Sequence, residues 1–140
     1  MKLLDNLNNG GVLAVQMPLV KYAPFYRALE ELKKENKWKK ISGIKVFHNL
    51  LPEETYDILT RCSSDVTMWV TTYYHVVQSH KDVLEWYKGS GLRPYLDVLN
   101  DAEKEIFISE LTGKIESLFT VREDNRILLK MPRLFFTAVK

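Results

Sequence analysis

Between Thr71 and Leu96 the chain reads TTYYHVVQSHKDVLEWYKGSGLRPYL, placing Tyr73, Tyr74, His75, Trp86 and Arg93 within one short stretch. A guanidinium can hold a carboxylate through two parallel hydrogen bonds, and a phenol hydroxyl can add a third. Arg93 sits between a helix-stopping glycine, Gly89, and Pro94, so its backbone is expected to be pinned while its guanidinium stays free to aim. It either clamps a carboxylate or caps the last carbonyls of the preceding helix. Arg133, directly after Pro132, has the same status, with a salt bridge as its alternative. Tyr73 and Tyr74 are adjacent on a strand and point to opposite faces. Either one is core and the other offers its hydroxyl to a pocket, or both are core. His75 is expected either to pack among its aromatic neighbours or to touch a ligand.

Other chemistries find less support. Gly89-Ser90-Gly91 follows a helix and precedes a proline, whereas a dinucleotide-binding turn follows a strand and opens a helix. It reads as a helix stop, with Gly89 in the C′ position. His48, His75 and His80 have no metal-ligand spacing, and His80 is expected to be exposed. Cys62 is the only cysteine, which excludes an intrachain disulfide or a Cys-rich metal site, and it reads as a half-buried structural thiol. With 20 basic and 18 acidic residues, the net charge of +2 gives no nucleic-acid footprint. The cluster Lys33 to Lys40 (KKENKWKK) reads as a solvated helix end, where cations complement the dipole.

The elements that must position these groups follow from periodicity. Asn8-Asn9-Gly10-Gly11 is a turn that opens into VLAVQM, a continuous apolar run expected to be a strand buried on both faces and stopped by Pro18. A helix is expected from Ala23 to about Trp38, with Pro24 in its first turn. Ile41–Phe47 reads as a minor strand or a packed loop. Pro52 opens another helix, to about Arg61. From Val66 to Val77 the period is two, with aromatics on both faces, so both are expected to be covered at least in part. Ser79 and Asp82 start a helix, and Asn100 with Glu103 starts the next. Asp124-Asn125 is a turn, and Arg126–Val139 is a strand in which Pro132 implies an edge or a bulge.

The order is β-α-α-β-α-α-β, one domain over residues 1–140 with three main strands of a mixed sheet, hence α/β, or α+β in isolation. The N-terminus lacks an apolar targeting segment and no apolar run approaches about 18 residues, so a cytoplasmic chain without a membrane partner is expected. VLAVQM reads like an interior strand and wants neighbours on both sides. The whole therefore looks like the second half of a larger sheet.

Four strings, GVLAVQMP (residues 11–18), VTMWVTTYYHVVQSH (66–80), VLEWYKGSGLRPYL (83–96) and ILLKMPRLFFTAV (127–139), resemble the trans-aconitate methyltransferase family. The resemblance is collinear, covers most of the chain and is weakest from Leu19 to about Leu51. It implies the second half of a Rossmann-like methyltransferase fold, with VLAVQM as the fifth of seven strands and the last strand running antiparallel between its neighbours. The family uses S-adenosylmethionine, but the Gly-rich turn and acidic residue that hold it precede the region resembled. No cofactor is therefore expected to bind this chain alone. The family's reaction methylates a carboxylate oxygen, which is already ionised at neutral pH and needs no general base. Positioning of a small polyanion and exclusion of water remain. The resemblance maps substrate binding onto Tyr73, Tyr74, His75, Trp86, Arg93 and Arg133, with Arg93 as carboxylate clamp, one tyrosine as hydroxyl donor and Trp86 as an apolar wall. It implies a methyltransferase-like chain that is inactive alone. The alternative is a non-catalytic binding or interaction module, self-associating through the exposed strand Val12–Met17.

Overall fold

The structure is a computed structural model that describes residues 2–45 and 50–140, so His48 and the end of the Ile41–Phe47 segment lie outside the described residues. The chain divides into two compact units. Unit 1 comprises Met1–Val20, Asn49–Tyr73 and Met131–Lys140, and unit 2 comprises Lys21–His48 and Tyr74–Lys130.

The short helix α1 (Lys2–Asp5) precedes strand β1 (Val12–Pro18). Strand β2 (Val66–Val77) and strand β3 (Ile127–Val139) complete a three-stranded sheet in the order β1-β3-β2. β1 pairs antiparallel with β3, from Val12 opposite Val139 to Pro18 opposite Arg133. Val139 N donates to Asp65 O at 3.0 Å, and Trp69 stacks on Phe135 with centroids 5.4 Å apart. Both contacts run β2 antiparallel to β3 as well. The last strand thus lies antiparallel between the other two. Adjacent strands are antiparallel throughout, which corrects the expected mixed sheet: β1 and β2 point the same way but never touch.

In unit 1, Leu13, Val15, Met17, Val66 and Met68 pack against a core of Leu4, Leu19, Leu59, Leu134, Phe136 and Ala138. Leu4 comes from α1 and Leu59 from α3 (Pro52–Thr60), so both helices cover the same face. Val12, Ala14 and Gln16 on the opposite face are exposed, so β1 alternates and is an edge strand. The expectation of a strand buried on both faces is corrected, because an unbroken apolar run does not report whether a second layer is present. α3 begins as expected. Pro52 lies in its first turn, and Leu51 N donates to Glu54 Oε2 at 2.7 Å, satisfying a donor that the helix leaves open. After it Cys62 is exposed, not half-buried.

Two details set the register. Gly10, at φ 76°, donates its N–H to Lys140 O at 3.0 Å, while Lys140 N donates to Gly11 O at 2.9 Å. Two glycines therefore oppose one residue, a bulge that admits the left-handed turn at Gly10. Pro132 lies inside the central strand, against the expectation of an edge or bulge. Its carbonyl accepts from Leu19 N at 2.9 Å, so its backbone faces β1 one residue beyond the last paired position, Pro18. The missing donor falls where the neighbouring strand has already ended.

In unit 2, helix α2 (Pro24–Lys33) and helix α4 (His80–Tyr87) both pack on helix α6 (Asp101–Leu118). Phe25, Leu29, Leu32, Leu84, Phe107, Leu111 and Ile115 are buried among them. The helix expected to reach Trp38 ends five residues earlier, because Glu35 is extended (φ −75°, ψ 135°) before a 3-10 turn at Asn36–Ile41. The break carries Trp38 against Phe107, centroids 5.1 Å apart, with its indole N–H on Glu110 Oε2 at 2.9 Å. The lysine cluster is largely solvated, as expected, with Lys34, Lys37, Lys39 and Lys40 exposed, but it is also tied down. Lys33 is buried, bonded to Glu30 and to Ile44 O, while Lys37 and Lys40 pair with Glu110 and Glu103 of α6.

Gly89 is not a helix stop. Residues Lys88–Leu92 form a wide π turn that leads into helix α5 (Arg93–Leu96), and Pro94 falls in the first turn of α5, where a backbone donor is dispensable. α6 opens with the expected reciprocal cap, Glu103 N on Asn100 Oδ1 and Asn100 N on Glu103 Oε2, both 2.9 Å. Val77, Ile127 and Leu129 are buried here, whereas Tyr74, Val76, Leu128 and Lys130 are exposed. In unit 1 it is the even-numbered residues of β3 that enter the core, and in unit 2 the odd-numbered ones.

Candidate functional site

The six residues singled out from sequence fall into four places. Tyr73 and Arg133 belong to unit 1. Tyr73 lies on the same β2 face as Trp69, and Arg133 on the same β3 face as Phe135, the two rings that stack. Both residues thus share an open sheet face with an aromatic pair. In unit 2, His75 and Trp86 come together, ring centroids 4.8 Å apart and tilted by 41°. His75 is half-buried and Trp86 is exposed, so this is a packed imidazole against an indole whose other face is open. Arg93 is the first residue of α5. Its side chain is 83% exposed and reaches Asp97, one turn on, at 4.0 Å, which in high dielectric is a weak tether. The premise of a backbone pinned between a helix stop and a proline does not hold, since Arg93 is helical.

Tyr74 lines a sizeable cleft. This cleft, of about 540 Å³, lies wholly within unit 2 and is bounded by Pro24, Tyr74, Leu118 to Thr120, Arg122, Leu128 and Lys130. Strand geometry explains the grouping: Tyr74 and Lys130 occupy the outward faces of neighbouring strands, and the Lys130 ammonium stands 6.0 Å from the Tyr74 ring centroid. Arg122 is placed by the turn that follows α6. Its N–H donates to Arg126 O at 2.7 Å, Val121 bridges to Ile127, and Asn125 adopts φ 60° to close the turn, as the Asp124-Asn125 pair led one to expect. Two cations and two hydroxyls line the cleft, and no carboxylate does.

His80 borders this region and is not exposed as expected. Its Nε2 donates to Phe119 O at 2.7 Å, satisfying a carbonyl at the end of α6. The sequence reading missed Thr120, Arg122 and Lys130. The signal that finds Lys130 is register: only when β2 and β3 are aligned does it stand beside Tyr74. Arg122 has no local pattern that marks it.

A second cluster is phenolic. Tyr87 stacks on Phe25 at 3.6 Å, and Tyr26 meets both rings edge-on at 5.6 and 5.5 Å. Burial pushes Tyr26 up to about 12, helped by the neighbouring Tyr95, and drives Tyr87 higher still. Tyr95, raised to about 12 by burial and by Glu30, takes the Lys33 ammonium against its ring at 5.7 Å. Phenols held neutral this firmly are structural, with no tendency to act as bases near neutral pH. Among the described residues no group of three or more His, Cys, Asp or Glu side chains could hold a metal ion, and no helix is long and apolar enough to cross a membrane.

No family model matches the chain. It is similar to trans-aconitate 2-methyltransferases from Agrobacterium fabrum (38% identical over 142 residues), Rhizobium rhizogenes (36% over 142 residues) and Escherichia coli strain SE11 (33% over 141 residues). These matches take in 99%, 99% and 97% of this chain but 56%, 56% and 53% of the respective relatives. The chain spans about half the length of the curated relatives it matches. The resemblance drawn from the four sequence strings therefore extends across the weakest segment, Leu19 to Leu51, as well.

Proposed function

We propose that this chain is the substrate-side, C-terminal half of a methyltransferase that acts on a carboxylate oxygen of a small polycarboxylate, and that it neither binds the methyl donor nor turns over alone. The observation that carries this reading is the similarity along 97–99% of the chain to relatives named for that reaction, of which it spans only 53–56%. The strand order β1-β3-β2, with the last strand antiparallel in the middle, supports placing it at the end of a Rossmann-like methyltransferase sheet.

The described residues do not fit S-adenosylmethionine. A methyl donor held at a strand end needs a close-approach glycine turn leading into a helix. β1 instead runs through Leu19 into a 3-10 turn at Val20–Tyr22, and β2 runs through Gln78 into the Ser79 cap of α4. Of the six glycines, Gly10 and Gly11 precede β1, Gly43 follows the 3-10 turn at Asn36–Ile41, Gly89 and Gly91 lie in the π turn, and Gly113 lies inside α6. This chain's own share of the work is to hold and orient a polyanion and to exclude water around it. Titration calorimetry of the chain with S-adenosylmethionine tests the reading. No saturable heat is expected, and micromolar binding would sink it.

One observation favours a second reading, a self-associating module. Leu19 N bonds to Pro132 O and Lys140 N to Gly11 O, so the odd-numbered residues of β1 turn their backbone groups toward β3. Val12, Ala14 and Gln16 turn theirs to the open edge, which Pro18 terminates. Such an edge accepts another strand. Light scattering should then show a dimer that Ala14→Pro and Gln16→Lys each dissociate. A wild-type monomer at all concentrations counts against this reading.

A further inference from the structure

The cleft of unit 2 is unbalanced in charge. Its lining includes Arg122 and Lys130 and no acidic side chain. Among the described residues neither cation takes part in a salt bridge, although these residues form nine other ion pairs. The neighbouring groove provides the contrast. It shares Arg122 but adds Arg126, Glu123 and Asp124, and Arg126 is matched by Asp124 at 3.9 Å. The carbonyl end of α6 also faces the cleft, and there Phe119 O already accepts a hydrogen bond from His80. Tyr74 and Thr120 add hydroxyls, and Pro24, Leu118, Phe119 and Leu128 supply an apolar floor. A volume of about 540 Å³ falls within the range of small-molecule sites.

We propose that this cleft, framed by Tyr74, Thr120, Arg122 and Lys130, is a binding site for small di- and tricarboxylates that operates in this chain by itself. A guanidinium fork takes one carboxylate at two points, and the ammonium takes a second as a point charge. The hydroxyls complete the acceptor set, while the apolar floor excludes larger, fully hydrated anions. That an anion binds follows from the lining. That it is a carboxylate rests on the proposed function.

The test is a two-dimensional amide NMR titration of the 140-residue chain with tricarballylate, succinate and inorganic phosphate in turn. Tricarballylate should bind saturably, shifting the amides of Thr120, Arg122 and Lys130, with succinate weaker. Arg122→Gln and Lys130→Gln should each weaken it by about tenfold or more, as expected for loss of a charge-assisted contact. Both side chains are exposed, so these variants keep the wild-type melting temperature. Lys104→Gln, exchanged on the surface of α6, should leave binding unchanged. Shifts centred on Arg93 and Trp86, or a titration that never saturates, overturn the site. Phosphate binding as tightly as tricarballylate overturns the carboxylate class. Carboxylate binding in this cleft without methyl transfer in any complemented enzyme refutes the proposed function and leaves the site standing. Transfer without binding here does the reverse.

Discussion

The segment Lys88–Leu92 separates two physical descriptions of the chain by a pair of alanine substitutions. If Gly89 ended a helix in the left-handed C′ conformation, Gly89→Ala would destabilise the fold by roughly 1 kcal/mol. In the structure Gly89 is not among the positive-φ residues, and an added Cβ meets nothing within 4 Å. Replacing it should stabilise, by roughly 0.4–1 kcal/mol, through the lower entropy of the unfolded chain. Gly91 shares the turn but not the space. A Cβ there falls 2.5 Å from Tyr26 Oη and 3.2 Å from its Cζ, against the 3.5–4.0 Å of an unstrained contact. The phenol has little room to yield, because Phe25 and Tyr87 hold it edge-on at 5.5 and 5.6 Å. Overpacking of this kind costs about 1–3 kcal/mol. The conformational gain is common to both substitutions, so the difference between the two variants isolates that cost. Urea denaturation should place Gly91→Ala about 1–3 kcal/mol below Gly89→Ala, and Tyr26→Phe should narrow the gap by removing the nearest atom. Equal stability of the two variants, or a destabilising Gly89→Ala, refutes the packing argument.

Three further outcomes are expected. Tyr26 and Tyr95 are raised from 10.0 to about 12 and Tyr87 further, so the stability they confer is complete below pH 10 and is lost as pH rises towards 12. Absorbance at 295 nm should show these phenols ionising together with alkaline unfolding, and complete ionisation below about pH 11 with native circular dichroism intact contradicts it. Asn100→Ala removes the acceptor for Glu103 N at 2.9 Å and should cost about 1 kcal/mol, while Asn100→Asp costs much less. Glu110→Ala strips the partner from the Trp38 indole N–H, a residue only 3% exposed, and should cost about 1–3 kcal/mol. An unchanged melting temperature would show that another acceptor takes its place.

Elements with a local cause were legible in the sequence. Pro52, the Ser79–Asp82 pair and the Asn100–Glu103 pair start helices where their side chains satisfy backbone donors or dispense with one. The strand at Val66–Val77 and the turn at Asp124-Asn125 follow from alternation and turn chemistry. What failed depends on contacts distant in sequence. Gly91 is small because Tyr26 approaches it, not because the chain turns back, and local pattern cannot tell these causes apart. Pro132 sits in the central strand because β1 ends beside it, which only the register reveals. The lysine cluster is exposed as expected, yet the partners of Lys37 and Lys40 are glutamates of α6 more than sixty residues away, which no local pattern shows. Of the six candidate site residues, Tyr74 lines the cationic cleft, whereas its partners Arg122 and Lys130 have no sequence mark until the strands are aligned.

The most direct measurement combines this chain with the part of a relative that it does not match. The segment of the Agrobacterium fabrum relative that lies outside the matched region, made as a separate polypeptide, is mixed with the chain and assayed for radiolabelled methyl transfer from S-adenosylmethionine to trans-aconitate. A substrate-side half predicts transfer only when both polypeptides are present, rising to saturation near equal amounts. Transfer by this chain alone contradicts it, as does the absence of transfer from a mixture in which both are folded and bound to each other.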